Sequence, residues 1–109
     1  MAMPLRVEQL HQLLALDDTV TAYRKAVVDG NRDASYRFRD AVVSESPIVA
    51  RVVEDADLAA SLDALVAMDP RRAAPEEIDQ ACHNVLIRTM LLRTKDWSGG
   101  REEQDRLSH

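Results

Sequence analysis

The sequence predicts an all-α fold, a small bundle of four to five helices in which the C-terminal helix forms an interface. Gly (3) and Pro (4) are scarce, whereas a β-sandwich or barrel needs many strands and turns. Aromatic residues make up only 4% of the 109 residues. Apolar residues recur every three or four positions along most of the chain, which is the helical period. These three observations together favour helices throughout.

The first helix is predicted from Pro4 to Leu16, because Pro is favoured in a first helical turn and apolar residues follow at helical spacing. Asp17-Asp18 can cap a second helix from Thr19 to Asp29. The two segments can equally form one helix with a kink. Gly30 is expected to end this part, since glycine readily adopts the left-handed conformation that follows many helices.

Asn31 is expected to cap the next helix, which runs to about Glu45. Ser46-Pro47 then predicts a new helix start, with Ser as the cap and Pro in the first turn. The segment from Pro47 to Asp69 carries two apolar stripes on different sides. We therefore predict a break near Asp55 to Asp57, with Asp57 as a cap, although the pattern also allows one helix. Asp69-Pro70 ends the segment, since a residue before Pro disfavours helix.

The last helix is predicted from Pro75 to about Lys95. Pro opens it, and Glu76 and Glu77 supply negative charge where the helix dipole favours it. Ser98-Gly99-Gly100 is expected to stop it. We therefore predict one helical domain over residues 1–98 and a polar, flexible tail over residues 99–109.

This last helix is apolar around more than half of its circumference. One stripe is typical of a core face and contains Ile78, Cys82, Val85, Thr89 and Leu92. Further apolar residues continue around the other side. Such a helix is either the central helix of its domain or lies at an interface. The predicted partner interface consists of His83, Leu86, Ile87, Met90 and Leu91.

Catalytic and metal-binding patterns are weak. Cys82 and His83 are adjacent, but neighbouring helical side chains diverge, so we interpret Cys82 as a structural residue. Asp79 and His83 lie one helical turn apart, and Glu8 and His11 have the spacing of a carboxylate–histidine metal step. Neither pair has further identifiable ligands. We therefore assign no catalytic, cofactor-binding or metal-ligating residues and expect no cofactor.

A basic and aromatic cluster of Arg32, Tyr36 and Arg39 is the candidate for phosphate contact. Acidic residues interleave with it, so a self-neutralising solvated helix is the competing interpretation. The segment from Arg71 to Lys95 can supply the second half of a helix-turn-helix. Its helix, however, begins with acidic residues that would repel phosphate. The net charge of −5 also disfavours nucleic acid as a partner.

Composition also bounds the compartment. A single Cys cannot form an intrachain disulfide, and neither a signal peptide nor a membrane-spanning run is evident, so we expect a cytoplasmic protein. Twelve Arg against two Lys suggest a GC-rich bacterial genome. No enzyme motif is present, so an enzyme is the less favoured interpretation.

These observations predict a small protein-interaction module, a regulator or accessory subunit that forms a homodimer or binds a larger protein through its last helix. The first alternative is a helix-turn-helix DNA-binding regulator or antitoxin. The second is a small metal-carrying bundle. The sequence names neither the partner nor the symmetry of an assembly.

Overall fold

The structure, a computed structural model, describes residues 6–108 of the chain and the side chains of residues 6–94. It confirms the all-α prediction. The helices are α1 (Val7–Val28), α2 (Arg32–Val53), α3 (Ala56–Ala67) and α4 (Pro75–Ser108). Residues 6–108 contain no strand.

The four helices form a ring in which each contacts the helix before and after it. α1 packs on α2 and α4, and α3 packs on α2 and α4, whereas the diagonal pairs do not meet within the described range. Contacts between early and late residues show that neighbours run antiparallel. Gln9 of α1 donates to the carbonyl of Val52 at the far end of α2, 3.0 Å away. α4 is therefore one of four peripheral helices, and the interpretation of a central helix enclosed by the others is wrong.

The core consists mainly of Leu and Val side chains from all four helices. Its fully or nearly fully buried members include Leu13, Leu16, Val20, Tyr23, Val42, Val49, Leu58, Leu62, Leu65, Ile78, Cys82 and Val85. The stripes predicted for α3 and for the inner side of α4 are thus confirmed, with Leu92 only partly buried. Because these two apolar stripes are buried in the core, the opposite sides of α3 and α4 face solvent.

α1 is one helix and not two. It begins at Val7, and the predicted start at Pro4 lies outside the described residues. Asp17 does not cap a new helix, because its carboxylate accepts a hydrogen bond from Thr89 of α4 at 3.1 Å. Gly30 ends this segment as predicted, with a positive φ of 73° and its N–H bonded to Val27.

α2 begins as predicted and then continues through the expected new start at Ser46-Pro47. Asn31 is the N-cap, accepting from the N–H of Ala34 at 3.1 Å. Pro47 lies inside the helix, so the prediction of a restart there is wrong. The ring of Pro47 is exposed. An interior proline removes a backbone hydrogen bond and crowds the carbonyl four residues earlier, at a cost of about 3 kcal/mol. Val49 and Val53 remain buried on the far side, which keeps the helix attached to the core.

The predicted break near Asp55 is confirmed, but the capping residue differs. Glu54 adopts the left-handed conformation at φ 54° and ends α2. Asp55, and not Asp57, caps α3 by accepting from the N–H of Leu58 at 2.8 Å. Residues 68–74 then connect α3 to α4, which starts at Pro75 as predicted. The segment is therefore two helices joined by a two-residue turn.

α4 runs on to Ser108, so the predicted stop at Ser98-Gly99-Gly100 is wrong. Glycine costs about 1 kcal/mol relative to alanine inside a helix but, unlike proline, keeps its backbone donor. Residues 99–109 lie outside the range of described side chains, and their predicted flexibility stays a prediction. Among the described residues, no helix has the length and apolar character that a membrane crossing requires.

Candidate functional site

The flank of α4 that faces α3 is fixed by a two-pronged ion pair. Arg88 donates through Nε and Nη2 to the two carboxylate oxygens of Asp55, each at 2.8 Å. Asp57 adds a longer contact of 3.5 Å to the same guanidinium. The hydrogen bond that Arg88 donates to Asp55 raises the pKa of Arg88 further above its already high value. One carboxylate thus caps α3 and holds α4 at the same time.

The flank that faces α1 is fixed in a similar way. Asp17 of α1 lies 3.1 Å from the hydroxyl of the buried Thr89 and 3.6 Å from a guanidinium nitrogen of Arg93. Two helical turns after Asp17 on α1, Arg24 forms an ion pair with Asp79 of α4. The charged side chains in the middle of α4 therefore point toward its neighbours, where each has a partner.

Between residues 80 and 94, every exposed residue of α4 is uncharged. We call these residues the outer face of α4: Gln80, Asn84, Ile87, Met90, Leu91 and Thr94. Ile87 is 37% exposed, Met90 51% and Leu91 47%. A surface helix normally carries its charges opposite the core. α4 carries apolar side chains there instead.

The spacing of the outer face is that of a helix-pairing seam. Residues 80, 84, 87, 91 and 94 alternate steps of four and three, which is the repeat that keeps one side of a helix against a second helix. The apolar content of this side was visible in the sequence. The alternating step was also present in the sequence, but only the structure identifies which of its positions are exposed.

The predicted interface residues do not all belong to the outer face. Ile87, Met90 and Leu91 lie on it. Leu86 does not belong to it, because this side chain is partly buried and packs against the core. His83 is half-buried at the edge of the outer face. Asp79, which lies one helical turn from His83, forms its ion pair with Arg24 of α1.

A groove between α3 and α4 adjoins the outer face, and sequence analysis did not anticipate it. Its volume is about 400 Å³. It is lined by Ser61, Ala64, Met68, Glu76, Glu77, Gln80, Ala81 and Asn84. Small side chains at Ser61, Ala64 and Ala81 leave the space between the two helices open. The spacing of these small residues on α3 was the available signal, but a small residue predicts a groove only when the neighbouring helix is known.

The three candidates for phosphate contact lie at one end of the bundle but have different environments. Arg32 and Tyr36 line a cleft of about 390 Å³, beside Pro70 and Pro75. The Arg71 guanidinium lies 4.9 Å from the centre of the Tyr36 ring. Arg39 instead donates to the carbonyls of Val66 at 3.0 Å and Met68 at 3.2 Å, where it caps the end of α3.

Asp40 and Asp69 line the smaller adjoining pocket together with Arg39 and Arg71. Acidic groups therefore accompany the basic ones at this end of the bundle as well. Phosphate contact by the cluster stays a prediction, and the guanidinium of Arg39 is already engaged by backbone carbonyls.

The side chains considered for catalysis or metal binding are dispersed. Cys82 is fully buried, and burial raises the pKa of its thiol to about 12, so the nucleophilic thiolate is disfavoured at neutral pH. Glu8 and His11 are both exposed on α1. Within the described residues, no three His, Cys, Asp or Glu side chains are grouped as metal ligands.

The α3–α4 pair does not have the geometry of a helix-turn-helix. In that motif the two helices cross at about 90–120°. Here the start of α3 meets Arg88 of α4, while the end of α3 leads through residues 68–74 to Pro75. The two helices are therefore antiparallel neighbours.

Comparisons with protein-family models, with curated proteins and with solved structures give no match.

Proposed function

We propose that this chain is a small helical protein-interaction module, a regulator or accessory subunit that acts as a homodimer through the outer face of α4. One observation carries the proposal: every exposed residue between positions 80 and 94 is uncharged, and three of them are large and apolar. Apolar side chains that adjoin one another on an uncharged surface often mark a binding site.

The uncharged outer face of α4 is compatible with a second copy as the occupant. Each copy carries a net charge of −5, so most ways of bringing two copies together oppose like charges. The outer face of α4 is a surface on which this repulsion is small. Arg88 and Arg93, the charged residues between positions 80 and 94, are both paired with aspartates of their own chain. A highly charged partner would find no complementary group there.

Pairing of two such faces supplies a moderate driving force. Covering an exposed Leu, Ile or Met side chain contributes about 1.5–3 kcal/mol when the side chain was fully exposed, and these three are roughly half exposed. Association also costs several kcal/mol of lost translational and rotational freedom. We therefore expect a reversible dimer whose population rises with protein concentration.

Two glutamate substitutions of isoleucine test the proposal. Ile87→Glu places a carboxylate in the centre of the outer face, whereas Ile48→Glu makes the same change at an exposed isoleucine of α2. Burying an unpaired carboxylate in an interface costs about 2–3 kcal/mol. A two-fold dimer contains the substitution twice, so the total of about 4–6 kcal/mol corresponds to roughly a 10³- to 10⁴-fold weaker dimer. Sedimentation velocity measures the dimer, and circular dichroism measures folding.

We expect Ile87→Glu to be a folded monomer and Ile48→Glu to dimerise like the unsubstituted chain. Equal dissociation constants for the two variants would show that the outer face of α4 does not mediate association. Unfolding of Ile87→Glu would contradict the exposed position of this side chain in the bundle.

A further inference from the structure

The groove between α3 and α4 and the exposed side chain of Leu91 lie on the same side of α4. Asn84 lines the groove, and Leu91 follows it by seven residues, which is two helical turns. The small side chains of Ser61, Ala64 and Ala81 leave part of the groove open. Leu91 projects into solvent with 47% exposure. The groove and the protruding side chain of Leu91 thus lie on the same side of α4, at different positions along the helix.

We propose that two copies pair with their α4 helices antiparallel, about a two-fold axis between residues 85 and 86, so that Leu91 of each copy enters the α3–α4 groove of the other. This inference rests on the proposed function and adds its geometry. A two-fold axis makes the contact self-complementary, because each copy contributes one groove and one leucine.

The exposed seam of α4 fits this axis. In an antiparallel pair centred between residues 85 and 86, position 91 of one copy lies level with position 80 of the other, and position 87 lies level with position 84. All four positions belong to the outer face, so its spacing of steps of four and three maps onto itself. Gln80 and Asn84, which face the incoming Leu91 and Ile87, also line the groove.

The charged residues along α4 also favour the antiparallel arrangement. A parallel pair would set the acidic first turns of both α4 helices, with Glu76 and Glu77, at one level. The proposed antiparallel pair instead brings position 76 of one helix level with position 95 of the other, a glutamate opposite a lysine in the sequence. An alternative antiparallel pairing of the same face, with its two-fold axis at residue 89, would bring Glu76 level with Glu102. We call this pairing the register centred on residue 89. Opposite charges at one level favour the first register.

The small side chains of the groove allow the close approach that the pairing needs. Ala81 is buried on its floor and Ala64 is exposed on its α3 wall. A leucine knob requires a hole among four residues of the facing surface. Here α3 supplies part of that hole, so the contact involves two helices of each copy and not α4 alone.

Disulfide cross-linking tests the register. In the double variant Gln80→Cys/Leu91→Cys, the thiol at position 80 of one copy lies opposite the thiol at position 91 of the other in the proposed pairing. In Ile87→Cys/Leu91→Cys, the two thiols lie opposite one another only in the register centred on residue 89. A disulfide needs Cα atoms within about 7 Å, so we expect the first pair to link at least ~10-fold faster under mild oxidation. The native thiol of Cys82 is fully buried and does not compete.

The outcomes separate the geometry from the proposed function. Rapid formation of a covalent dimer by Gln80→Cys/Leu91→Cys supports the register. Faster linking of Ile87→Cys/Leu91→Cys overturns it, as does a dimer in sedimentation that links with neither pair, and in both cases the homodimer itself stands. A monomer at every concentration overturns the proposed function and the geometry together.

Filling the groove gives an independent measurement. Ala64→Phe occupies the space meant for Leu91 of the other copy, while Ala67→Phe adds the same ring at an exposed alanine of α3 that does not line the groove. We expect at least ~10-fold weaker dimerisation for Ala64→Phe and an unchanged dissociation constant for Ala67→Phe. Equal dimerisation of the two folded variants would overturn insertion into the groove.

Discussion

α2 and α4 lie diagonally across the bundle, and both expose large apolar side chains on their outer sides. On α2, Val43 and Ile48 are 39% and 49% exposed. Charged residues of both signs surround them on the same helix: Asp33, Arg37, Asp40 and Arg51 are all exposed. On α4, the exposed residues from position 80 to position 94 carry no charge.

This difference shows that exposure of apolar side chains alone does not indicate a binding surface. Much of any folded protein's surface is apolar, and single exposed residues among charges need no functional explanation. The two helices differ in where their charges point. α4 uses Asp79, Arg88 and Arg93 to hold α1 and α3, which leaves its outer face without charge.

The largest effect on stability is expected at the ion pair between Asp55 and Arg88 of α4. Asp55→Ala removes both the cap of α3 and the two-pronged partner of Arg88. Loss of a cap costs about 1 kcal/mol, and loss of charged hydrogen bonds adds about 1–2 kcal/mol. We therefore expect Asp55→Ala to lower the free energy of unfolding by about 2–3 kcal/mol in urea denaturation.

Asp57→Ala is the matched control for this change. Its side chain is 78% exposed and makes only the longer contact with the same guanidinium, so we expect a loss below about 0.5 kcal/mol. Similar losses for the two alanine variants would mean that the cap and the ion pair at Asp55 do not fix the α3 side of α4.

A smaller effect is expected at high pH on the buried side of α4. Burial raises the pKa of Cys82 from 9.0 to about 12 and that of Tyr23 from 10.0 to about 12. Both groups are neutral when protonated, so the folded state favours the protonated forms. The resulting stability is fully present below pH 9 and is lost as the pH rises toward 12.

At pH 10.5 the contribution of Cys82 to this loss is about 2 kcal/mol, since each pH unit above its unfolded pKa costs about 1.4 kcal/mol. In Cys82→Ala this part is absent, and the decline in melting temperature should begin near pH 10, where Tyr23 starts to contribute. Identical pH profiles for the two chains would contradict a protonated, buried thiol on the inner side of α4.

The sequence predicted the helix ends that depend on local signals and missed the features that depend on packing between helices. Asn31, Gly30 and Pro75 act locally through caps, turns and first-turn geometry, and all three were placed correctly. Pro47 was misread because its exposed ring is tolerated only when the buried side of α2 continues unbroken, which depends on packing against the other helices. Asp17 looked like a cap because its true partners lie 72 and 76 residues further along the chain.

The candidate site was predictable in part for the same reason. Helical periodicity separates Ile87, Met90 and Leu91 from the core stripe, and the structure exposes all three. Their role in an interface stays a prediction. Leu86 is partly buried against the core, and periodicity does not contain the helix packing that decides how far such a side chain is covered. The α3–α4 groove could not be predicted, because it exists only between residues of different helices.

Sedimentation equilibrium of the unsubstituted chain over a wide concentration range tests the central claim most directly. The chain has a mass of 12.2 kDa. If the uncharged outer face of α4 pairs with itself, the average mass should rise with concentration and approach twice that value without exceeding it, because a two-fold contact closes the assembly. A mass that stays at 12.2 kDa at every concentration would contradict the homodimer, and a mass that rises without limit would contradict a closed two-fold contact.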